Sequence, residues 1–179
     1  MSAIEQLADE NSVPEGQYFE RIDGVEHYIN KLEQRHQLVA DRIFAQLEAQ
    51  LSARNNMTIK SSFNVYPLHD RGDTDTVVQP DIFIACYKSK FRDDAYCGAP
   101  QLIVEILTSN RSYDMVRKLN LYERAGISEY WMVDPDFQVI SVLELSDGKY
   151  VFHAYSGEDE VPLVSVPGCT VDFKIIMEG

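Results

Sequence analysis

Two acidic residues stand where their neighbours should exclude them. Asp81 opens the apolar run Ile82-Phe83-Ile84-Ala85, and Glu105 lies inside Leu102-Ile103-Val104-Glu105-Ile106-Leu107. An ionised carboxylate in a buried strand is costly unless it is paired, hydrogen-bonded or bound to a metal. One such residue reads most simply as an edge position or an ion-pair partner. Two on consecutive strands, both near where a loop meets the sheet, favour a shared site, because consecutive strands are commonly neighbours. Paired carboxylates with a main-chain carbonyl between them offer hard oxygen ligands, suited to Mg²⁺ or Mn²⁺ rather than zinc.

Beyond Glu105 the chain continues Thr108-Ser109-Asn110-Arg111-Ser112-Tyr113-Asp114, then Lys118. Asp114 and Lys118 are four apart and share a helical face. They read either as a surface ion pair of about 0.3–0.5 kcal/mol or as a lysine placed over the carboxylates. The short polar residues before them suit a helix cap.

The elements that must position these groups follow from periodicity and punctuation. Tyr18 to Val25 predicts a strand turning at Asp23-Gly24, with a partner near His27–Ile29. Val39, Ala40, Ile43, Phe44, Leu47 and Leu51 recur at helical spacing, so a helix is predicted over His36–Leu51. Thr58 to Tyr66 alternates as one strand, and residues 68–76 form a polar loop. Pro80 is a poor central-strand residue but a good start, so the next strand begins near Asp81 and ends at Cys86, expected as a core thiol. A polar connection spans 87–100, and Gln101–Leu107 follows as a buried strand. A helix over Ser112–Ala125, with Met115, Val116, Leu119 and Tyr122 on one face, stops at Gly126. Ser128–Val133 is another strand, and the remainder, with turns at Ser146-Asp147-Gly148 and Pro167-Gly168, predicts a β-meander. This is an α/β (α+β) pattern: a mixed sheet flanked by helices.

Composition bounds the function. A chain of 179 residues fits one domain, expected over 17–179 behind an acidic leader at 1–16. The beginning lacks a signal-peptide pattern and no run reaches the roughly 20 apolar residues of a membrane span, so a cytoplasmic protein is expected. Cys86, Cys97 and Cys169 are odd in number and scattered, against a disulfide framework or a zinc cluster. The formal charge of −13 weighs against tight nonspecific DNA binding. Its distribution softens that objection: residues 31–124 carry thirteen basic and twelve acidic side chains, so the acid is concentrated at the two ends.

Pro80-Asp81 followed by a strand, then Val104-Glu105-Ile106-Leu107-Thr108-Ser109, matches the PD-(D/E)XK nuclease pattern. The continuation Asp114-x-x-x-Lys118-x-x-x-Tyr122, then Ala125-Gly126-Ile127-x-Glu129-Tyr130-Trp131-x-Val133-Asp134-Pro135, resembles the Uma-two family of restriction endonucleases. Glu20-x-Ile22-Asp23-Gly24 and His36-Gln37 fit that family's opening, and the resemblance spans roughly residues 17–155. It implies a restriction-endonuclease-like sheet core. It also implies a mechanism in which Asp81, Glu105 and the carbonyl of Ile106 hold Mg²⁺ or Mn²⁺, with a lysine orienting water or stabilising developing charge.

Two departures stand out. The superfamily lysine should follow the acid by two residues, where this chain has Leu107, and Lys118 is the matching replacement. The proline-containing turn usual after the Glu strand reads Thr108-Ser109-Asn110-Arg111 here. Glu20 and His36 are expected at the rim of the site, as a third acid and a hydrogen-bonding partner. Asp114 is expected to orient Lys118, and Lys118 to be exposed enough that its removal spares folding. Tyr130 and Trp131 read as core and surface packing, and Asp134 as a turn residue.

The first functional reading is a Mg²⁺-dependent endonuclease acting on DNA, as a homodimer. The second is a catalytically silent nuclease-fold module for binding or assembly, which the chain's acidity favours.

Overall fold

The computed structural model describes residues 17–30, 34–54, 56–107, 112–157 and 159–178, with the side chains of Asn30 and of 112–114 outside the described set. Strands β1 (Gln17–Ile22) and β2 (Val25–Asn30) form an antiparallel hairpin, and helix α1 (Gln34–Leu51) follows. Asp23 and Gly24 both have positive φ, 52° and 75°, the tight turn expected of an Asp-Gly pair.

Next come β3 (Thr58–Ser61), β4 (Asn64–Tyr66), β5 (Ile82–Ala85), β6 (Ala95–Cys97) and β7 (Leu102–Ile106). Helix α2 (Ser112–Ala125) carries the chain over to β8 (Glu129–Asp134). The chain closes with β9 (Val139–Ser146), β10 (Lys149–Tyr155), β11 (Glu160–Pro162), β12 (Thr170–Asp172) and the short helix α3 (Phe173–Met177).

Six strands make the central sheet, in the order β10-β9-β8-β7-β5-β3. Only β7 and β8 run parallel within it. A parallel pair needs a crossover connection, and α2 supplies it. Because side chains alternate along a strand, each sheet face builds its own core. On one face α1 buries Val39, Ile43 and Leu47 against Ile82, Ile84, Val104, Ile106, Trp131 and Val133. On the other, Leu121, Tyr122 and Ala125 of α2 cover Phe83, Ile103 and Tyr130. Glu105 alternates with Val104 and so points to the α2 face.

Several sequence expectations are corrected. Thr58–Tyr66 is two strands, because Ser62 takes a positive φ of 47° and turns the chain. As a result β3 pairs with β5 while β4 leaves to run parallel with β6. The connection at 87–100 is not simply polar: β6 is buried along its whole length. Cys86 is half-buried rather than a core thiol. The C-terminal part is a meander only through β10. The β11–β12 ribbon stands apart, and α3 is a helix the periodicity missed, being five residues long. It is capped by Asp172, whose side chain accepts from the Ile175 amide at 3.1 Å. Trp131 is fully buried, so neither it nor Tyr130 is a surface residue. The leader, and the turn at Thr108–Arg111, lie outside the described residues. No described helix is long and apolar enough to cross a membrane.

Candidate active site

The hydrogen-bonded register places Ile82 opposite Val104, so Asp81 at the entrance to β5 stands beside Glu105 near the exit of β7. Three further elements converge on this end of the sheet. The carboxylate of Asp81 accepts through Oδ2 from the Ile106 amide at 2.7 Å. His36, from the first turn of α1, brings Nε2 to 3.0 Å from the Ile106 carbonyl and 3.2 Å from the same Oδ2. From the opposite face α2 contributes Lys118 and Tyr122, four apart. Lys118 Nζ donates to Glu105 Oε1 at 3.0 Å, and Tyr122 Oη donates to that oxygen at 2.7 Å. Lys118 also donates to Glu20 Oε1 at 2.9 Å, which accepts from the Gln79 amide as well, at 2.9 Å.

The sequence expectation that Glu20 and His36 sit at a rim is therefore corrected. Glu20 is 0% exposed and His36 3%. Hairpin β1–β2 folds over the site, joined by the Arg21–Val77 bridge, and drives Glu20 inward. Lys118 is likewise buried and ion-paired, not a spectator of folding. The apolar stripe expected on α2 is rotated: Val116 faces solvent, and the buried stripe is Lys118, Leu121, Tyr122 and Ala125. A lysine inside that stripe is what a reading by hydrophobicity passes over. The Asp114 side chain lies outside the described residues. Tyr122 as a partner of Glu105 was not anticipated, although its spacing from Lys118 already put both on one helical face.

Electrostatically the cluster is under-compensated. Glu20 and Glu105 share Lys118, and Asp81 has only His36 beside it, so three ionised carboxylates with a neutral imidazole leave two negative charges in excess. Burial is the main cause that pushes the Glu105 carboxyl up to about 7; Lys118 opposes the rise, and the charges of Asp81 and Glu20 add to it. Burial, then the charge of Glu105, holds the Tyr122 hydroxyl well above its ordinary range, so it remains a donor. Among the described residues, Glu20 Oε2 and His36 Nδ1 are buried with no hydrogen-bond partner.

Each strand carboxylate thus has one oxygen committed to protein donors. Asp81 Oδ1 and Glu105 Oε2 take no hydrogen bond among the described residues. With the Ile106 carbonyl, whose second lone pair is left over by His36, they form a hard-oxygen set beside an excess of negative charge. That chemistry fits a divalent cation such as Mg²⁺ or Mn²⁺. Among the described residues no three His, Cys, Asp or Glu side chains form a metal-holding group alone. A cation here would complete its shell with the carbonyl and water.

A mixed sheet flanked by helices, with two carboxylates and a lysine at the point where β5 enters and β7 leaves, defines a nuclease-type fold. The model of the Uma2 family, described as "Putative restriction endonuclease", matches residues 2–174, and the chain belongs to that family. Among solved structures it is similar to a putative nuclease belonging to DUF820 from Anabaena variabilis ATCC 29413. The TM-score is 0.74 at 17% identity, over 89% of each chain. At that identity the likeness speaks for the fold. No curated protein matches the chain.

Proposed function

We propose that this protein is a metal-dependent endonuclease that hydrolyses DNA phosphodiester bonds at the Asp81–Glu105 cluster. The observation that carries the reading is the placing of two strand carboxylates, each with one oxygen held by protein donors, at one end of the sheet, with a third carboxyl, Glu20, on the same ammonium as Glu105. Family membership supports the substrate class. Asp81 Oδ1, Glu105 Oε2 and the carbonyl of Ile106 would hold Mg²⁺ or Mn²⁺. The bound cation supplies Lewis acidity, lowering the pKa of water and stabilising charge on the scissile phosphate.

The chain's own residues do the rest. The Ile106 amide and His36 fix Asp81, and Lys118 and Tyr122 fix Glu105, so both carboxylates are aimed before substrate arrives. Lys118, in place of a lysine at Leu107, orients the attacking water or steadies the developing oxyanion. The reading includes a two-fold pair of chains, since cutting both strands calls for two sites. It is supported by β10, a seven-residue edge of the sheet with Val151 and Phe152 exposed. Light scattering that reports a monomer throughout the micromolar range would remove the pair without touching the site.

The test is nicking of supercoiled DNA with Mg²⁺ or Mn²⁺, alongside melting curves with and without the metal. A cation that binds only the folded chain stabilises it by about 2.7 kcal/mol at a hundredfold excess over its dissociation constant. Asp81→Asn should lose both the nicking and the metal-induced shift. The net charge of −13 favours the second reading, a binding module without catalysis. A parent protein whose melting ignores both metals, and which leaves DNA intact, would select it.

A further inference from the structure

We propose that Glu20 is a positioning residue whose task is to hold Lys118 beside Glu105, making hairpin β1–β2 a working part of the site. Glu20 is completely buried, yet it lies neither on the central sheet nor on its flanking helices. One oxygen accepts from both Lys118 Nζ and the Gln79 amide, each at 2.9 Å. The amide contact ties the hairpin to the segment that leads through Pro80 into Asp81. The other oxygen is buried with no hydrogen-bond partner among the described residues. A carboxylate serving only packing would have both oxygens satisfied, since leaving a buried acceptor unpaired is costly.

The arrangement has a chemical reason. Lys118 shares Glu105 Oε1 with Tyr122. A divalent cation drawn to the opposite oxygen of Glu105 would weaken the whole carboxylate's pull on the ammonium and repel the ammonium directly. A lysine held by Glu105 alone would then be displaced. Glu20 gives it a second counter-ion, from outside the central sheet, that neither Asp81 nor Glu105 has to supply. The under-compensated charge of Glu20 is what a resident ammonium requires.

The proposal rests on the nuclease reading for what Lys118 does, but not for where it is held, so two measurements separate the two ideas. In ¹⁵N-labelled, metal-free protein, the Lys118 ammonium should give a slowly exchanging signal, assigned by its loss in Lys118→Met. Glu20→Gln should broaden that signal beyond detection; a signal that survives with unchanged exchange overturns the proposal, as does a parent with no protected ammonium. If Glu20→Gln fails to fold, Glu20→Asp keeps the charge, retracts it by one methylene, and should speed the exchange; unchanged exchange in it overturns the proposal equally.

In metal-dependent DNA cleavage, Glu20→Gln should lower the rate by roughly ten- to a hundredfold and add nothing further in a Lys118→Met background. Independent, multiplying losses would show that Glu20 does not act through Lys118. A parent that binds no Mn²⁺ and cuts no DNA would sink the nuclease reading, while the ammonium signal would still decide for or against Glu20.

Discussion

Two buried carboxyl groups in this molecule have opposite fates. Glu129, at the start of β8, is 0% exposed and fully satisfied by neutral donors. Its Oε1 accepts from Trp131 Nε1 at 2.6 Å, and its Oε2 from the Ser165 amide and hydroxyl at 2.7 and 2.6 Å. It pins the loop before β12 to the sheet. Glu105, one strand away, shares an oxygen between an ammonium and a phenol and faces two more carboxyl groups. Burial of an acid is therefore no mark of a site. The mark is crowding of acids without enough donors, because that is the condition a proton or a cation can relieve.

The sharpest way to break this comparison is Lys118→Met. Removing one partner from a buried ion pair typically costs about 3–5 kcal/mol, and here it leaves Glu20 and Glu105 with no cation between them. Urea denaturation near pH 8 should show a loss of that size, and a loss under 1 kcal/mol would mean the cluster is not charged as described.

Acid should act in the opposite sense to its usual effect. The Glu105 carboxyl is raised from 4.5 to about 7, so between those values the folded chain binds more protons than the unfolded one. Its contribution must therefore fall as pH rises through that window, by an amount on the order of 3 kcal/mol. The difference in stability between the parent and Glu105→Gln, followed from pH 5 to 8, isolates the effect from Lys118, Tyr122, His36, Asp81 and Glu20 around it. Saturating Mn²⁺, which favours the ionised carboxylate, should flatten the decline.

Glu129→Ala should cost about 1–3 kcal/mol, the penalty for stranding buried donors, while leaving any response to Mn²⁺ unchanged. A lost metal response in that variant would erase the distinction between the two carboxyl groups. The smallest effect belongs to Arg124→Ala, which removes an exposed pair with Asp23 on hairpin β1–β2. Exposed pairs contribute about 0.2–1 kcal/mol, so a larger loss in thermal or urea unfolding would show that the hairpin depends on its outer tether rather than on Glu20.

What the sequence disclosed, and what it hid, divides along the same line. Asp81 and Glu105 were legible because a charge inside an apolar run violates its local pattern. Lys118 was legible as one of two readings of its spacing from Asp114 and as a replacement for the residue missing at Leu107; its burial was not, because hydrophobic periodicity sorts lysine to the outer face of a helix. Glu20 lies 98 residues from Lys118, and no local rule reaches that far. Nor did anything near Glu129 distinguish it, since its donors at Trp131 and Ser165 are neutral. The break at Ser62 was hidden because alternation continues through it. A serine in the left-handed region is not a signal that residue type announces, whereas the Asp23-Gly24 turn is.

The cluster is drawn together across long stretches of chain: 98 residues separate Lys118 from Glu20, 70 separate His36 from Ile106, and 25 separate Ile106 from Asp81. Loop closure over such spans is unfavourable until most of the chain has collapsed. During synthesis, Glu20 and His36 leave the ribosome long before Glu105 and Lys118 exist. A nascent or half-folded chain therefore has no assembled pocket, and a cation that recognises this pocket selects the finished molecule alone. Under the nuclease reading proposed above, completion of the fold is itself the safety catch.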